Sequence, residues 1–259
     1  MPVISKGDLS IQYALSGHED GDLLVLSNSL GSDFSMWNKV LAPLEAEFHV
    51  LRYDTRGHGA SSVPPGPYSL NDLGQDVLLL LNEIGAHRVN FCGLSLGGLI
   101  GMWLGLKAPH RLNRLVLANT AARIGSPEMW DERVSAVRRS GMEALASATP
   151  ARWFTAQYRE AHPSEMKQIQ AMIASTSADG YIACCAALRE SDLRAGIPSM
   201  AVPSLVIAGT HDPATPPSDG RELAAALPRA HYVELDSSHL SAWERADEFV
   251  NAVLTFLAN

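Results

Sequence analysis

The hydrophobic positions along the chain follow two alternating patterns. Short apolar runs end in small polar residues, as in "LLVLSNS" (23–29), which is typical of strands buried on both faces of a parallel sheet. Between them, apolar residues recur at three- and four-residue spacing, as in "SLNDLGQDVLLLLNEIG" (69–85), which indicates helices. This alternation predicts a parallel sheet covered by helices on both faces. The predicted strands are 11–17, 23–29, 49–54, 88–95, 112–120, 204–212 and 230–238.

The alternation is interrupted once. From about 122 to 199 the apolar residues keep helical spacing and no convincing strand occurs. We therefore expect a core formed by residues 1–121 and 200–259, with residues 122–199 inserted as a helical cap, or lid. The predicted cap helices are 127–147, 150–161, 163–176 and 178–191.

The stretch "FCGLSLGGLIG" (91–101) places Ser95 between Gly93 and Gly97, in the pattern G-x-S-x-G. A predicted strand precedes it and a predicted helix follows. In that context the pattern is typical of a sharp turn that lifts a nucleophilic hydroxyl above the edge of the sheet. The alternative is a glycine-rich structural turn, because so short a pattern also occurs by chance.

A serine nucleophile needs a general base and an acid that orients the base. His239 in "LDSSHLSAWE" follows the last predicted strand, and Asp212 in "VIAGTHDPATPP" follows the strand before it. Both would reach the same sheet edge as Ser95, and the order serine, aspartate, histidine fits this scaffold. His211 and Asp236 are the competing candidates.

The reaction also needs donors for the negative oxygen that forms on the attacked carbonyl, which together are called the oxyanion hole. The backbone N–H of Leu96, directly after the serine, is one candidate. The second is the backbone N–H of Leu30 in the loop "SNSLGSDFSMW", where Gly31 relaxes the turn.

Composition narrows the protein class. The 259 residues are 46% hydrophobic, as in an ordinary globular protein. They carry a formal net charge of −8, and this negative charge argues against a nucleic-acid partner.

Cys92, Cys184 and Cys185 are an odd set without metal-ligand spacing, so we expect buried small side chains, with a strained Cys184–Cys185 redox pair as the alternative. No signal peptide or apolar run of roughly 18 residues is visible, so we expect a cytoplasmic protein without membrane contact. The oligomeric state stays open.

Four motifs together resemble the α/β-hydrolase fold superfamily: "DTRGHGAS" (54–61), the segment around Ser95, "AGTHDP" (208–213) and "SSHL" (237–240). The resemblance implies an α/β fold with a mostly parallel eight-stranded sheet, flanking helices and an inserted helical cap. Many members have a His-Gly pair where this chain has Asn28-Ser29. That difference keeps the backbone of the oxyanion hole but changes the side chains near it.

A narrower resemblance, which includes the cap, is to the 3-oxoadipate enol-lactonases of bacterial aromatic catabolism. It implies hydrolysis of 3-oxoadipate enol-lactone to 3-oxoadipate in the protocatechuate and catechol pathways. It also implies that Ser95 attacks the lactone carbonyl, that His239 moves the proton and that Asp212 orients His239, with no metal and no organic cofactor. The matching segments are 27–33, 129–146, 152–155 and 180–194.

The partner implied is a small anionic lactone whose carboxylate needs a counter-charge. We favour Arg133, which lies three residues after Trp130 and shares its helical face. Trp130 and Trp153 are predicted pocket walls. As alternatives, Arg133 is a surface residue and the tryptophans are cap core. The other cap arginines considered are Arg138, Arg139, Arg152, Arg159, Arg189 and Arg194.

Other functions fit the same scaffold. A carboxylesterase or a carbon–carbon bond hydrolase would use the same three catalytic residues, and only its substrates would differ. A hydrolase-like receptor that binds a small molecule and signals through its lid is the alternative from another class.

Overall fold

The computed structural model describes residues 2–258, which form one eight-stranded sheet of order β1-β2-β4-β3-β5-β6-β7-β8. β2 pairs antiparallel with β1 and β4, and all other neighbours are parallel. The predicted mostly parallel eight-stranded sheet is thereby confirmed. The strands are β1 Val3–Lys6, β2 Leu9–Gly17, β3 Leu23–Ser27, β4 His49–Tyr53, β5 Val89–Leu94, β6 Leu112–Ala118, β7 Ser204–Gly209 and β8 Ala230–Leu235.

The helices alternate with the parallel strands, as the hydrophobic pattern predicts. Short 3₁₀ turns occur at Phe34–Trp37, Pro109–Arg111 and Ile197–Ser199. The α-helices are α1 Asn38–Glu45, α2 Leu70–Glu83, α3 Leu96–Lys107, α4 Pro127–Ala148, α5 Pro150–Trp153, α6 Ala156–Ala161, α7 Pro163–Ala174, α8 Ala178–Glu190, α9 Pro217–Ala226, α10 Ser241–Glu244 and α11 Ala246–Ala258.

The core lies around β5, β7 and α3. Every residue of β5 and β7 is buried, as is every residue of α3 from Leu96 to Gly105. A helix buried on all sides has no polar face, which is why α3 lacks amphipathic spacing. Its glycines allow close packing: a Cβ on Gly101 would lie 2.8 Å from Leu115 Cδ1. Ser95 therefore stands between two fully buried segments, β5 and the first part of α3.

Helices α4 to α8 fill the connection between β6 and β7. α4 bends at Gly141, whose φ of 73° departs from helical geometry. α8 packs against the core at Gly180, since a Cβ there would lie 2.2 Å from the Gly57 carbonyl oxygen. No strand occurs in this connection, and residues 122–199 as a separate cap stay a prediction.

Within residues 2–258, no single helix combines the length and the apolar composition of a membrane span. The pair α7 and α8, bent by 88°, meets both criteria only when the two helices are taken together.

Candidate active site

Ser95 lies at a sharp turn between β5 and α3. Its φ of 58° and ψ of −111° are strained for a residue with a side chain, at a typical cost of ~1–3 kcal/mol. The turn needs glycine on both sides. A Cβ on Gly93 would lie 2.1 Å from the Gly97 carbonyl oxygen, and one on Gly97 would lie 2.1 Å from the Ser27 carbonyl oxygen. This geometry presents the serine hydroxyl at the end of the strand.

His239 and Asp212 are in direct contact. His239 Nδ1 donates to Asp212 Oδ2 at 2.7 Å, and the two residues are only 3% and 4% exposed. Asp212 Oδ2 also accepts from the Thr215 hydroxyl at 2.7 Å and from Asn119 Nδ2 at 3.0 Å. With Nδ1 committed to the carboxylate, Nε2 is the nitrogen available to a serine.

The charge state of Asp212 follows from these contacts. Burial acts to raise its pKa, but the neighbouring His239 and the donors of Thr215 outweigh burial and hold the pKa below its usual value. Asp212 Oδ1 accepts two further bonds, from the amides of Ala214 and Thr215 at 2.8 and 3.1 Å. The carboxylate is therefore ionised and fixed in orientation.

Ser95 and His239 line one cavity of about 270 Å³. The hydrogen bonds within residues 2–258 do not include one between the Ser95 hydroxyl and His239. Serine–histidine contacts in unliganded enzymes are often long and tighten when substrate binds. The structure thus brings the three predicted catalytic residues to one place, and their roles stay a prediction.

A backbone hydrogen bond joins the two segments that carry the predicted oxyanion donors. Gly97 N–H donates to the Asn28 carbonyl at 3.0 Å, which joins the start of α3 to the loop after β3. Gly31 N–H donates to His58 Nε2 at 3.0 Å. Leu30 lines the cavity, and the Leu96 amide lies at the start of α3, beside the serine. This arrangement suits a pair of backbone donors for a negative oxygen.

The Asn28 side chain explains how the chain does without the more usual His-Gly pair. Its Nδ2 donates to the Tyr53 carbonyl at 2.9 Å, and its Oδ1 accepts from Trp37 Nε1 at 2.8 Å. Ser29, in contrast, lines the cavity. Asn28 thus holds the loop in place through its bonds to Tyr53 and Trp37, and Ser29 contributes to the cavity wall.

The predicted substrate-binding residues lie on the same cavity wall. Trp130, Arg133 and Trp153 all line the cavity that holds Ser95. Trp130 Nε1 donates to the Ile124 carbonyl at 2.7 Å, which fixes the indole plane. Whether these residues bind substrate stays a prediction, as does the alternative that the tryptophans serve only the cap.

Arg152 is a second arginine in this cavity, and the sequence reasoning did not prefer it. Its only sequence signal is its place beside Trp153 in "RWFT". Arg133 Nη1 lies 3.4 Å from the Tyr181 hydroxyl, and Tyr181 also lines the cavity. Tyr181 was missed because an aromatic residue on a helix is usually core.

The competing residues lie elsewhere. His211 Nε2 and Asp236 Oδ1 are 2.8 Å apart and exposed, so they form a surface pair. Arg189 pairs with Asp131, and Arg194 pairs with Asp192. No group of three or more His, Cys, Asp or Glu side chains that could hold a metal occurs in residues 2–258. The described cysteines are free and buried.

Comparisons with known proteins give matches over most of the chain. A family model described as the alpha/beta hydrolase fold matches residues 22–246. The chain is 41% identical to 3-oxoadipate enol-lactonase 2 of Acinetobacter baylyi over 96% of this chain and 94% of that one. It is 35% identical to 3-oxoadipate enol-lactonase 1 of the same organism, over 96% and 92%. The crystal structure of the enol-lactonase from Burkholderia xenovorans LB400 superposes with a TM-score of 0.97 at 47% identity, over 100% of both chains.

Proposed function

This chain belongs to the α/β-hydrolase family and is an ester or lactone hydrolase, and we propose that it opens 3-oxoadipate enol-lactone to 3-oxoadipate, with Ser95 as the nucleophile. The observation that carries the proposal is the composition of one cavity. Ser95 and His239 face a space that also holds Arg133 and Arg152. The relatives named as 3-oxoadipate enol-lactonases support the choice of substrate.

The two arginines favour an anionic substrate. The ion pairs within residues 2–258 include neither Arg133 nor Arg152, so no protein carboxylate neutralises them there. A partly buried guanidinium without a carboxylate partner is suited to bind a substrate carboxylate. A cavity of about 270 Å³ suits a small ligand. A small lactone that carries an acetate arm meets both conditions.

Acylation begins at the serine hydroxyl. Ser95 Oγ attacks the lactone carbonyl carbon as His239 Nε2 takes the hydroxyl proton. Asp212, bonded to Nδ1 at 2.7 Å, stabilises the cationic imidazole that forms. The amides of Leu30 and Leu96 donate to the negative carbonyl oxygen, and two such donors contribute several kcal/mol to the transition state. The bond between His239 and Asp212 is present without substrate, whereas the Ser95–His239 contact is expected to tighten when substrate binds.

Collapse of the tetrahedral intermediate breaks the ring C–O bond. The leaving group is an enolate oxygen, which takes a proton from His239 and stays attached to the acyl chain because the ester is cyclic. Water then attacks the Ser95 ester, with His239 again as general base. One water is consumed for each lactone, and the released enol becomes the ketone. Ketone formation makes ring closure unfavourable.

A substrate panel tests the proposal. Purified protein is assayed with 3-oxoadipate enol-lactone by loss of ultraviolet absorbance, and in parallel with a neutral p-nitrophenyl ester and a carbon–carbon bond substrate. We expect kcat/KM to be highest for the enol-lactone, with a product heavier than the lactone by one water. Efficient cleavage of neutral esters without turnover of the enol-lactone would assign the site to a carboxylesterase. Carbon–carbon cleavage alone would also overturn the proposal.

A further inference from the structure

His58 holds the amide next to the predicted oxyanion donor. Gly31 N–H donates to His58 Nε2 at 3.0 Å. The Leu30 N–H belongs to the Ser29–Leu30 peptide, and the Gly31 N–H belongs to the Leu30–Gly31 peptide. The backbone dihedral angles of Leu30, which join these two peptides, therefore decide where the Leu30 N–H points once the Gly31 N–H is held. The Gly31 carbonyl accepts from the Thr176 hydroxyl at 3.3 Å. The Gly31 N–H is therefore bonded to His58 of the core, and the Gly31 carbonyl is bonded to Thr176 of the predicted cap.

The partners of His58 require one tautomer. His58 Nδ1 lies 3.2 Å from the Arg56 carbonyl oxygen, which can only accept a hydrogen bond, so Nδ1 carries the proton. The Gly31 amide can only donate, so Nε2 must present its lone pair. A proton on Nε2 would place two N–H groups against each other. The geometry thus needs a neutral imidazole protonated on Nδ1.

The surroundings of His58 keep it in that state. The side chain is 1% exposed, and Cys184 Sγ of α8 lies 4.0 Å from Nδ1. Burial lowers the pKa of His58 to about 4, so the imidazole is neutral near pH 7. Gly57 and Gly59 on either side have φ of 79° and 53°, which favour glycine and turn the loop so that His58 faces inward. Gly57, His58 and Gly59 therefore each meet a specific geometric demand.

We propose that His58 is a positioning residue of the oxyanion hole, which fixes the Leu30–Gly31 peptide so that the Leu30 N–H points at the developing oxyanion. The proposal rests on the proposed Ser95 site but not on the enol-lactone as substrate. The alternative is that His58 only fills the space beneath α8. A filler would affect stability, whereas a positioning residue would affect the transition state more than the bound substrate.

The test compares His58→Gln and His58→Leu with the wild type. Glutamine offers an acceptor oxygen to Gly31 and a donor to Arg56, and leucine offers neither. His211→Leu is the matched control, because His211 is an exposed histidine paired with Asp236. Each protein is assayed with a neutral p-nitrophenyl ester for kcat and KM, and with a phenylboronic acid that forms a tetrahedral serine adduct.

We expect His58→Leu to lower kcat on the order of 10- to 100-fold, with KM within about twofold, because a misdirected donor weakens the transition state alone. Boronate affinity should fall by a similar factor, and His58→Gln should recover most of both losses. An unchanged kcat in His58→Leu, or a glutamine variant no better than leucine, would overturn the proposal. If the wild type cleaves the neutral ester but not the enol-lactone, only the proposed substrate is wrong. The His58 proposal is still tested, because this assay uses the neutral ester.

A measurement on the wild type covers the case in which the leucine variant does not fold. Nitrogen-15 NMR of labelled histidine distinguishes the two neutral tautomers. We expect His58 to be protonated on Nδ1 and unprotonated on Nε2 at neutral pH. A proton on Nε2 would contradict the bond from Gly31 and would overturn the proposal without any variant.

Discussion

The backbone N–H of Gly97 donates to the carbonyl of Asn28 at 3.0 Å. This bond joins the helix that follows the candidate nucleophile to the loop that carries the second oxyanion donor. Both predicted donors, Leu96 and Leu30, lie within two residues of its ends. This backbone bond therefore ties together the two segments that carry the predicted donors.

Gly97→Ala should disturb this junction. Its Cβ would lie 2.1 Å from the Ser27 carbonyl oxygen, so the backbone of β3 or α3 must shift. Overpacking of this kind typically costs ~1–3 kcal/mol, and activity should fall with it. Gly85→Ala is the control: an alanine at its φ of 71° would be strained, but nothing lies within 4 Å of the added Cβ. Denaturant unfolding measures the stability of both variants, and steady-state kinetics measure their activity. Equal destabilisation with full activity in Gly97→Ala would mean that the junction tolerates displacement.

Asp212→Asn should keep the fold and lower kcat on the order of 10³- to 10⁴-fold, because the amide no longer holds His239 in the required tautomer. Asp236→Asn is the control, since Asp236 is exposed and pairs with His211 and Arg245. Steady-state kinetics on any ester that the wild type cleaves give the comparison. A large loss in Asp236→Asn and a small one in Asp212→Asn would reverse the assignment.

Arg133→Leu and Arg152→Leu should each lower kcat/KM for the enol-lactone on the order of 10- to 100-fold, mainly through KM. A hydrogen bond to a charged group is worth about 1.5–3 kcal/mol, which corresponds to that range. Cleavage of a neutral p-nitrophenyl ester should change little. Arg139→Leu is the control, because Arg139 is exposed on the same helix as Arg133. Equal losses on both substrates would indicate that the arginine supports the cap structurally.

The pH dependence of stability should report on His58. Its pKa is about 4 in the folded state against 6.5 ordinarily, because burial disfavours the charged imidazole. Between those values the unfolded chain binds more protons, so His58 destabilises the fold as pH falls from about 6.5 to about 4. The Arg56 carbonyl and Asp33 act to raise the pKa of His58, but they do not outweigh burial.

Denaturant unfolding at pH 7 and pH 4 measures this effect. His58→Gln should lose less stability over that interval than the wild type, by roughly 2–4 kcal/mol. Other titrating groups are shared by the two proteins and cancel in the difference. Identical losses in both proteins would show that the imidazole titrates at its ordinary pKa.

Much of the fold could be predicted because the signals are local. Buried parallel strands appear as apolar runs, and the residues that end them meet at one sheet edge, which is why Ser95, Asp212 and His239 could be placed together in advance. The edge strand β1 was not found from its pattern, since only Ile4 of its residues is buried. Predicted strands also ran too far: β7 ends at Gly209, after which Thr210 bonds to Leu235 and the chain turns toward Asp212.

The cap side of the site was less predictable, because the face that a helix presents depends on packing between distant segments. Gly141 bends α4, so the helical face of Trp130 and Arg133 cannot be extended beyond it. Arg152 lies on a four-residue helix, too short for any periodicity. The role of His58 depends on a contact with Gly31, 27 positions away, which no spacing rule contains.

The most direct test of Ser95 as the nucleophile compares kcat/KM for 3-oxoadipate enol-lactone in the wild type and in Ser95→Ala, with turnover followed by ultraviolet absorbance. Removal of the nucleophile should lower the value on the order of 10⁴-fold or more while circular dichroism and thermal unfolding stay close to the wild type. We expect efficient wild-type turnover that is lost with the Ser95 hydroxyl. Turnover of the lactone by Ser95→Ala within tenfold of the wild type would contradict it.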